Sequence, residues 1–463
     1  MLEKLRGFFM NVLNLFHFYT IEEVTGIETN ITAEMRNRIE LWCDMMAGHA
    51  PWNEKAPSCG VLEQIAGRLS SLVLREIGLE CDNDAIKEVM AHLNNNVDKI
   101  VEYIVLLGGC VVRPVYSGGR IQYEALPLGC YLPTKYDFDG TLTGAVLLKQ
   151  IDSGNKKWLL TEEHSFDSTD HTVKCTLYRN DRGALKRTAL SDCPQTAELT
   201  PEYTWQDCKM PMIVEFRNHA VNKIDGSNVP VALISGAEEL IKQADEQFER
   251  MNWEQEGGKM RVFADRDLFQ KRVRRNGESV NVEMSESLSS LVVQIDGDGT
   301  ANGQKITEHA PNLRTQQQNE MLQEIFRRIE LTCNIGKGTV SDMENVAQTA
   351  TQYTGGRQEL YAVVDRIEEE IEGKYHKCAD VFAYMSAAYG LGANDSRIVI
   401  TWNDDQTRKD ITAAKQMALQ EVSAGVRNKW EYRADFFGED EVKAKANTPQ
   451  AEAADSFGGM FGA

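Results

Sequence analysis

Long hydrophobic runs are missing from this sequence. No stretch reaches the ~18 uninterrupted apolar residues of a membrane span, so no membrane partner is expected. The stretch Met1 to Tyr19 superficially resembles a signal peptide, with Lys4 and Arg6 ahead of Phe8-Phe9-Met10. Asn11, Asn14 and His17 interrupt its apolar run and no small-x-small cleavage site follows, so the expectation is a soluble, unexported chain. A surplus of positive charge is also missing. There are 50 Lys+Arg against 70 Asp+Glu, a formal net charge of −20. Non-specific affinity for nucleic acid comes from cations neutralising phosphates, so this balance excludes a general DNA binder and disfavours an anionic membrane surface.

Clustered metal or redox ligands are absent as well. The ten cysteines never lie closer than 15 positions apart, which leaves no CxxC and no zinc-ribbon spacing. Several sit on apolar stretches, Cys110 before Val111-Val112 for example, and read as reduced, core-filling thiols of a protein assembled in a reducing cytosol. The eight histidines show no HExxH or HxxxH. No GxxxxGK[ST] is present, because Gly336-Lys337-Gly338-Thr339 lacks the upstream glycine of a phosphate-cradling loop. Asp296, Asp298, Thr300 and Asn302 imitate the start of a calcium loop. Ala301 stands at its required glycine and Thr307 at its bidentate glutamate, so a turn is expected there. There is no GxSxG elbow. Glu162-Glu163-His164, Asp167 and Asp170-His171 gather carboxylates and imidazoles as a metal or acid–base site would, and a metal-dependent nuclease could use them. Their place at strand ends around a Ser-Phe-Asp-Ser-Thr turn reads instead as a solvated hairpin tip. No catalytic residue, metal or cofactor is assigned, and the chain is not read as an enzyme.

What is present suffices for a substantial core: 463 residues, 42% hydrophobic and 8% aromatic. After a Thr32 cap, Met35, Ile39, Trp42 and Met46 recur at helical spacing. Val61, Ile65, Leu69, Leu72 and Val73 do so again, as do Ile86, Val89, Met90 and Leu93. The pattern then turns to strands. Cys110 to Tyr116 and Ile121 to Ala125 flank Ser117-Gly118-Gly119, a hairpin signal. Further strands are expected at Ala145–Ile151, Trp158–His164 and Thr172–Tyr178.

From Ser235 helices return. Ser235-Gly236-Ala237-Glu238 reads as a capping box for a helix striped by Leu240, Ile241, Ala244, Phe248 and Met251 and ending near Gly257-Gly258. A β-rich, charged insert follows from Met260 to about Ile306. Asn312 is expected to cap the next helix, with Leu322, Ile325, Ile329 and Cys333 on one face and Gly336-Lys337-Gly338 breaking it. A long helix is expected from about Arg357 to Ala388, carrying Leu360, Val363, Val364, Ile367, Ile371, Tyr375, Cys378, Val381, Phe382 and Met385. A strand from Arg397 to Trp402, helices at Asp410–Ser423 and Asn428–Phe437, and a mobile tail after Ala446 complete the chain. Basic character is local. Lys271, Arg272, Arg274 and Arg275 cluster in the insert, as an edge strand guarding against aggregation or as a docking surface for an acidic partner or nucleic acid. Arg327-Arg328 reads as the polar face of its helix.

This order of helix, β-insert, helix, Gly-rich break and long helix resembles the portal proteins of tailed double-stranded-DNA bacteriophages, in the branch from phages of Gram-positive hosts. Glu40-Leu41-Trp42 to Gly48 with Pro51-Trp52 is similar to that branch's Trp-containing helix and linker. Leu62 to Glu76 is similar to its small-residue helix, and Cys110 to Ala125 with Pro127 to its hairpin. The most specific stretch is Gly338-Thr339-Val340-Ser341 followed by Gln348-Thr349-Ala350-Thr351-Gln352. It resembles the Gly-Thr-Phe-Ser and Lys-Thr-Ala-Thr-Glu elements, with Gln348 and Gln352 departing from a usual Lys and Glu. Trp402, Asp404-Asp405 and Asp410 resemble the family's Trp-x-Asp strand exit.

The resemblance implies an α+β, elongated, ring-forming subunit with a helical stem, a β-rich wing and clip, and a helical crown. Mapped here it implies an N-terminal arm (1–29), a wing (30–232 and 356–405), stem helices (233–257 and 311–335) and a clip (258–310). A tunnel-loop region (336–355), a crown (406–446) and a tail (447–463) follow. It further implies about twelve copies closed around a DNA channel at one capsid vertex of the virion, assembled in the host cytoplasm. Partners would be major capsid and scaffolding proteins, the terminase large subunit, a head–tail adaptor protein and the double-stranded DNA itself. The tunnel loop would be Gly336, Lys337, Gly338, Thr339, Val340, Ser341, Asp342, Glu344 and Asn345, and clip docking would use Lys271, Arg272, Arg274 and Arg275. The alternative is another self-assembling phage tail or baseplate protein, which does not account for a Gly-rich loop ahead of a long helix.

Overall fold

A computed structural model describes residues 25–153, 156–181, 184–265, 311–342, 358–402, 411–437 and 441–448, and, between 265 and 311, the short strands 272–273, 279–280, 292–295 and 306–309. The chain is α+β. Helix α1 (Ala33–Met46) begins where the Thr32 hydroxyl accepts from the Met35 amide at 3.2 Å, satisfying one of the orphan N–H groups of a helix start. It is followed by α2 (Val61–Glu76), strand β1 (Ile77–Cys81), α3 (Asp84–Asn94) and α4 (Val97–Leu107). Helix α4 was not anticipated from periodicity: its polar edge is narrow, with Asp98, Lys99 and Glu102 half-buried on an otherwise buried helix. Val97, Ile100, Val101 and all of Tyr103 to Leu107 are buried. It stops at Gly108, φ +96°, where an added Cβ would lie 2.8 Å from the Val231 carbonyl carbon. Only glycine fits there.

The hairpin β2 (Gly109–Ser117) and β3 (Arg120–Pro127) turns on Gly118 and Gly119, φ +61° and +78°, the left-handed pair that such a tight turn demands. Strand β10 (Val214–Arg217) pairs with the other edge of β2. The larger sheet contains β4 (Tyr131–Tyr136), β5 (Leu142–Ser153), β6 (Lys156–Asp167), β7 (Asp170–Asp181), β8 (Ala184–Thr188) and β9 (Glu202–Trp205). They run in the order β4-β5-β6-β7-β8, all antiparallel, with β9 pairing the start of β7 and β8 its end.

Helix α5 (Glu238–Gly257) and helix α6 (Thr315–Cys333) bracket five short strands, β11 (Arg261–Asp265), β12 (Arg272–Val273), β13 (Ser279–Val280), β14 (Val292–Ile295) and β15 (Ile306–His309). The two helices run antiparallel. Glu254 near the end of α5 binds the Arg314 guanidinium beside the start of α6 at 3.1 Å, Gln247 bonds Gln318, and Gly236 lies beside Thr332. Both starts differ from expectation. The Ala237 amide closes a turn on the Ile234 carbonyl at 2.9 Å, so Ser235 is not a cap and α5 begins at Glu238, whose carboxylate accepts from the Gly236 amide at 2.7 Å. Asn312 likewise caps nothing in α6, because the Arg314 amide is taken by Glu254 from across the pair at 3.0 Å.

Helix α7 (Gln358–Ala388) spans 31 residues, about 46 Å at 1.5 Å per residue. Its stripe from Leu360 to Met385 is buried, and the helix packs against the β2–β3–β10 sheet and against α2 and α3. Burying each such side chain contributes roughly 1.5–3 kcal/mol, and the position of α7 across the core follows from that stripe. Strand β16 (Ile398–Trp402) returns to pair with β1. Helices α8 (Ile411–Ser423), α9 (Lys429–Phe437) and α10 (Glu441–Ala446) follow, with Gly425 at φ +74° between the first two. Nine of the ten cysteines are buried and all are free thiols. No helix among the described residues is long and apolar enough to cross a membrane.

Candidate functional site

The turn after α6 is built around a buried carboxylate. Helix α6 ends on Asn334, itself left-handed at φ +57°, and Gly336 and Gly338 follow at φ +73° and +81°. Those three residues fold the chain back along the helix it has just left. There Glu330, with no exposed surface, accepts hydrogen bonds from the Val340 amide at 2.6 Å, the Ser341 amide at 2.7 Å, the Ser341 hydroxyl at 2.8 Å and the Gly338 amide at 3.2 Å. The Thr339 hydroxyl donates to the carbonyls of Ile335 and Gly336 at 2.8 and 3.1 Å, and the Asp342 amide donates to Gln323 Oε1 at 2.7 Å. A concavity of backbone N–H groups is an anion site, and here the anion is the chain's own glutamate. Gly336, Gly338, Thr339, Val340, Ser341 and Asp342 therefore converge on one face of α6, while Lys337 is exposed. Gly336 and Gly338 both take left-handed backbone conformations. They supply a fixed left-handed turn, and charge-assisted bonds to Glu330 hold it. Glu344 and Asn345 lie outside the described residues.

Glu330 was not singled out from the sequence, although a signal was there. It lies four residues after Phe326 and three before Cys333, both buried, so it falls on the apolar face of α6. The same signal marks two carboxylates of α5. Glu238 accepts from the Trp42 indole at 2.9 Å. Asp245, seven residues on, accepts from the Trp52 indole at 2.9 Å, the Cys59 amide at 2.8 Å and the Asn53 side chain at 3.3 Å. Two tryptophans of the segment from α1 to α2 are thereby fixed on one face of α5. A third indole, Trp402, donates to Glu372 of α7 at 2.9 Å.

Most of the basic cluster lies outside the described residues. Arg272 opens β12, its Cα paired with that of Val280, while Lys271, Arg274 and Arg275 lie outside the described residues. So do the calcium-like stretch 296–302 and Gln348 to Gln352. Arg328 is exposed and pairs with Glu324 one turn earlier at 3.2 Å.

The carboxylate–imidazole cluster in β6 and β7 is not a solvated tip. The turn at Ser168-Thr169 and Asp167 are exposed, but Glu162, His164 and His171 are buried. His164 Nδ1 lies 3.0 Å from His171 Nε2, and His171 Nδ1 accepts from the Met212 amide at 3.3 Å. Arg113 bridges Glu162 and Glu124, and Lys149 adds a bond to Glu124 at 2.8 Å. Burial and the neighbouring His164 push the His171 ring down to about 3. Burial lowers His164 as well, against the pull of Glu162. Two neutral imidazoles and balanced charges make an interior network, in which His164 Nε2 makes no hydrogen bond among the described residues and faces Glu162 at 3.7 Å. Among the described residues no group of three or more His, Cys, Asp or Glu is arranged to hold a metal ion.

No protein-family model matches the chain, and no curated protein matches it.

Proposed function

We propose that the chain is the portal subunit of a tailed double-stranded-DNA bacteriophage, a structural protein without catalytic activity. About twelve copies would close a ring at one capsid vertex. The ring is the channel for packaging and ejecting DNA. It docks the terminase large subunit and later a head–tail adaptor, and it is seated among major capsid and scaffolding proteins. The observation that carries the reading is the antiparallel pair α5 and α6. Its distal ends are joined by a β-containing insert, and its proximal end leads through the Glu330-held turn toward the 31-residue α7. A pair of this kind suits a wall element, with the insert as clip at one end and the loop as the element nearest DNA at the other.

Exposed apolar side chains on the pair favour assembly. Trp253 of α5 and Met321 and Leu331 of α6 are 72%, 53% and 56% exposed. Large apolar groups in that position mark a surface that a neighbouring copy can cover. A head-to-tail contact repeated by rotation closes into a ring and leaves no open end. Negative-stain imaging of the purified protein tests the reading. Rings with a central hole are expected, and fibres or monomers under every assembly condition would overturn it.

A further inference from the structure

We infer that a cavity between α4, the 217–235 segment, the end of α6 and the start of α7 binds an organic carboxylate carried on an apolar body. The cavity holds about 480 Å³ and opens to solvent. That is within the range of small-molecule sites. Its floor is apolar, built by Ile104 of α4, Val231 and Leu233, and Val363 and Ile367 of α7. Its charged lining is of one sign. Arg217, Lys223 and Arg366 converge on it, and none of the described residues that line it is Asp or Glu. In a chain whose carboxylates outnumber its Lys and Arg by 70 to 50, acids stand behind this lining, Glu215 at 3.7 Å from Arg217 and Glu370 at 2.7 Å from His219, and Lys223 and Arg366 are left facing the cavity.

The three cations are not equivalent. Arg217 is a fixed wall, since its guanidinium donates to the carbonyls of Gly140 and Asn228 at 3.3 and 2.8 Å. His219 at the rim is already engaged, its Nε2 lying 2.7 Å from Glu370. Lys223 and Arg366 have no hydrogen-bond or ion-pair partner among the described residues. They approach the cavity from two elements, the loop after β10 and the exposed side of α7. An arginine offers a planar fork matched to a carboxylate and a lysine a mobile point charge, so the pair can close on one anionic head while the apolar body covers the floor. A small inorganic anion satisfies the cations and leaves the floor wet. An uncharged apolar molecule covers the floor and leaves the cations unmatched.

The assignment stands apart from the portal reading, and its test needs neither phage nor DNA. Octanoate is titrated into the full-length protein by isothermal titration calorimetry, with octanol and inorganic phosphate as comparison probes. Saturable octanoate binding with a Kd on the order of millimolar or tighter is expected for a ligand of this size. Octanol and phosphate should each bind about tenfold more weakly or worse, and the double variant Lys223→Gln, Arg366→Gln should lose about tenfold in octanoate affinity. Both substituted side chains are exposed, so the fold is kept, which circular dichroism verifies. The assignment is overturned if octanoate shows no saturable binding up to ~10 mM, a concentration well above the expected Kd. It is equally overturned if octanol matches octanoate, or if the double variant binds octanoate like the parent.

Discussion

Glu330 shows how much one side chain can decide. It sits in the interior of the α6 packing face and receives three backbone amides and one hydroxyl from Gly338 to Ser341. Removing its charge leaves buried donors with a poorer acceptor, and a Gln amide turns an NH₂ toward N–H groups that need an oxygen. Glu330→Gln is expected to cost about 2 kcal/mol locally. Amide exchange at Gly338, Val340 and Ser341 should speed up tenfold or more, while α4 and β6 are unaffected. Gly338→Pro removes one donor and forbids φ +81°, so it should loosen the Val340 and Ser341 amides as strongly. Unchanged protection in both variants would show that the turn is held by something other than this carboxylate.

At the scale of elements, the sheet of β4 to β9 carries a pH dependence of definite sign. The His171 ring is held down to about 3 in the folded state, against about 6.5 in an unfolded chain. Between those values the unfolded state binds more protons, so stability rises with pH through the window and this contribution is flat above about 6.5. The groups facing the ring are His164 from β6 and the Met212 amide, and beyond His164 lie Glu162 and Arg113. From pH 7 to 4.5 the single His171 shift predicts a loss of roughly 2–3 kcal/mol. Urea titrations at the two pH values check it. A His171→Gln protein should show a shallower slope, and an equal slope would remove His171 as the cause.

The elements that periodicity reveals are those whose instructions are local. The β2–β3 hairpin, the stripe of α7 and the Thr32 cap each involve residues a few positions apart. Helix α4 escapes because its polar edge, Asp98, Lys99 and Glu102, is narrow beside eight buried residues in eleven, so the segment reads as an apolar run more than as a face. Pairing of β1 with β16 escapes because Ile77 and Trp402 are brought together by the whole intervening fold. The caps at Ser235 and Asn312 fail for different reasons: a local turn closes from the Ala237 amide to the Ile234 carbonyl, and Glu254 takes the Arg314 amide from across the helix pair. The site followed the same division. Gly336 to Asp342 could be read as a Gly-rich break, but the carboxylate that organises it lies in a helix where a glutamate passes for a solvent-facing residue. Carboxylates at stripe spacing, as at Glu238, Asp245 and Glu330, were the overlooked signal.

For the whole molecule, the proposed ring raises the question of how copies of an acidic chain would come together. Each carries −20, so twelve copies would hold about −240 before counterions, and their mutual repulsion opposes closure. The exposed groups along α5 and α6 include Trp253, Met321 and Leu331, whose burial against a neighbour is driven by water and not by charge. The two contributions respond oppositely to a contact made of ion pairs. Raising salt from ~50 to ~500 mM shortens the screening length from roughly 14 to 4 Å, weakening long-range repulsion while leaving apolar burial intact. The ring fraction seen by sedimentation velocity should therefore rise with salt at fixed protein concentration. A ring that dissociates as salt is added would mean that inter-subunit ion pairs dominate, and that the apolar side chains on the helix pair are not the contact. In the proposed ring, a channel wall sharing the chain's net negative charge would give a duplex few tight phosphate contacts, which would suit a conduit that must let DNA slide.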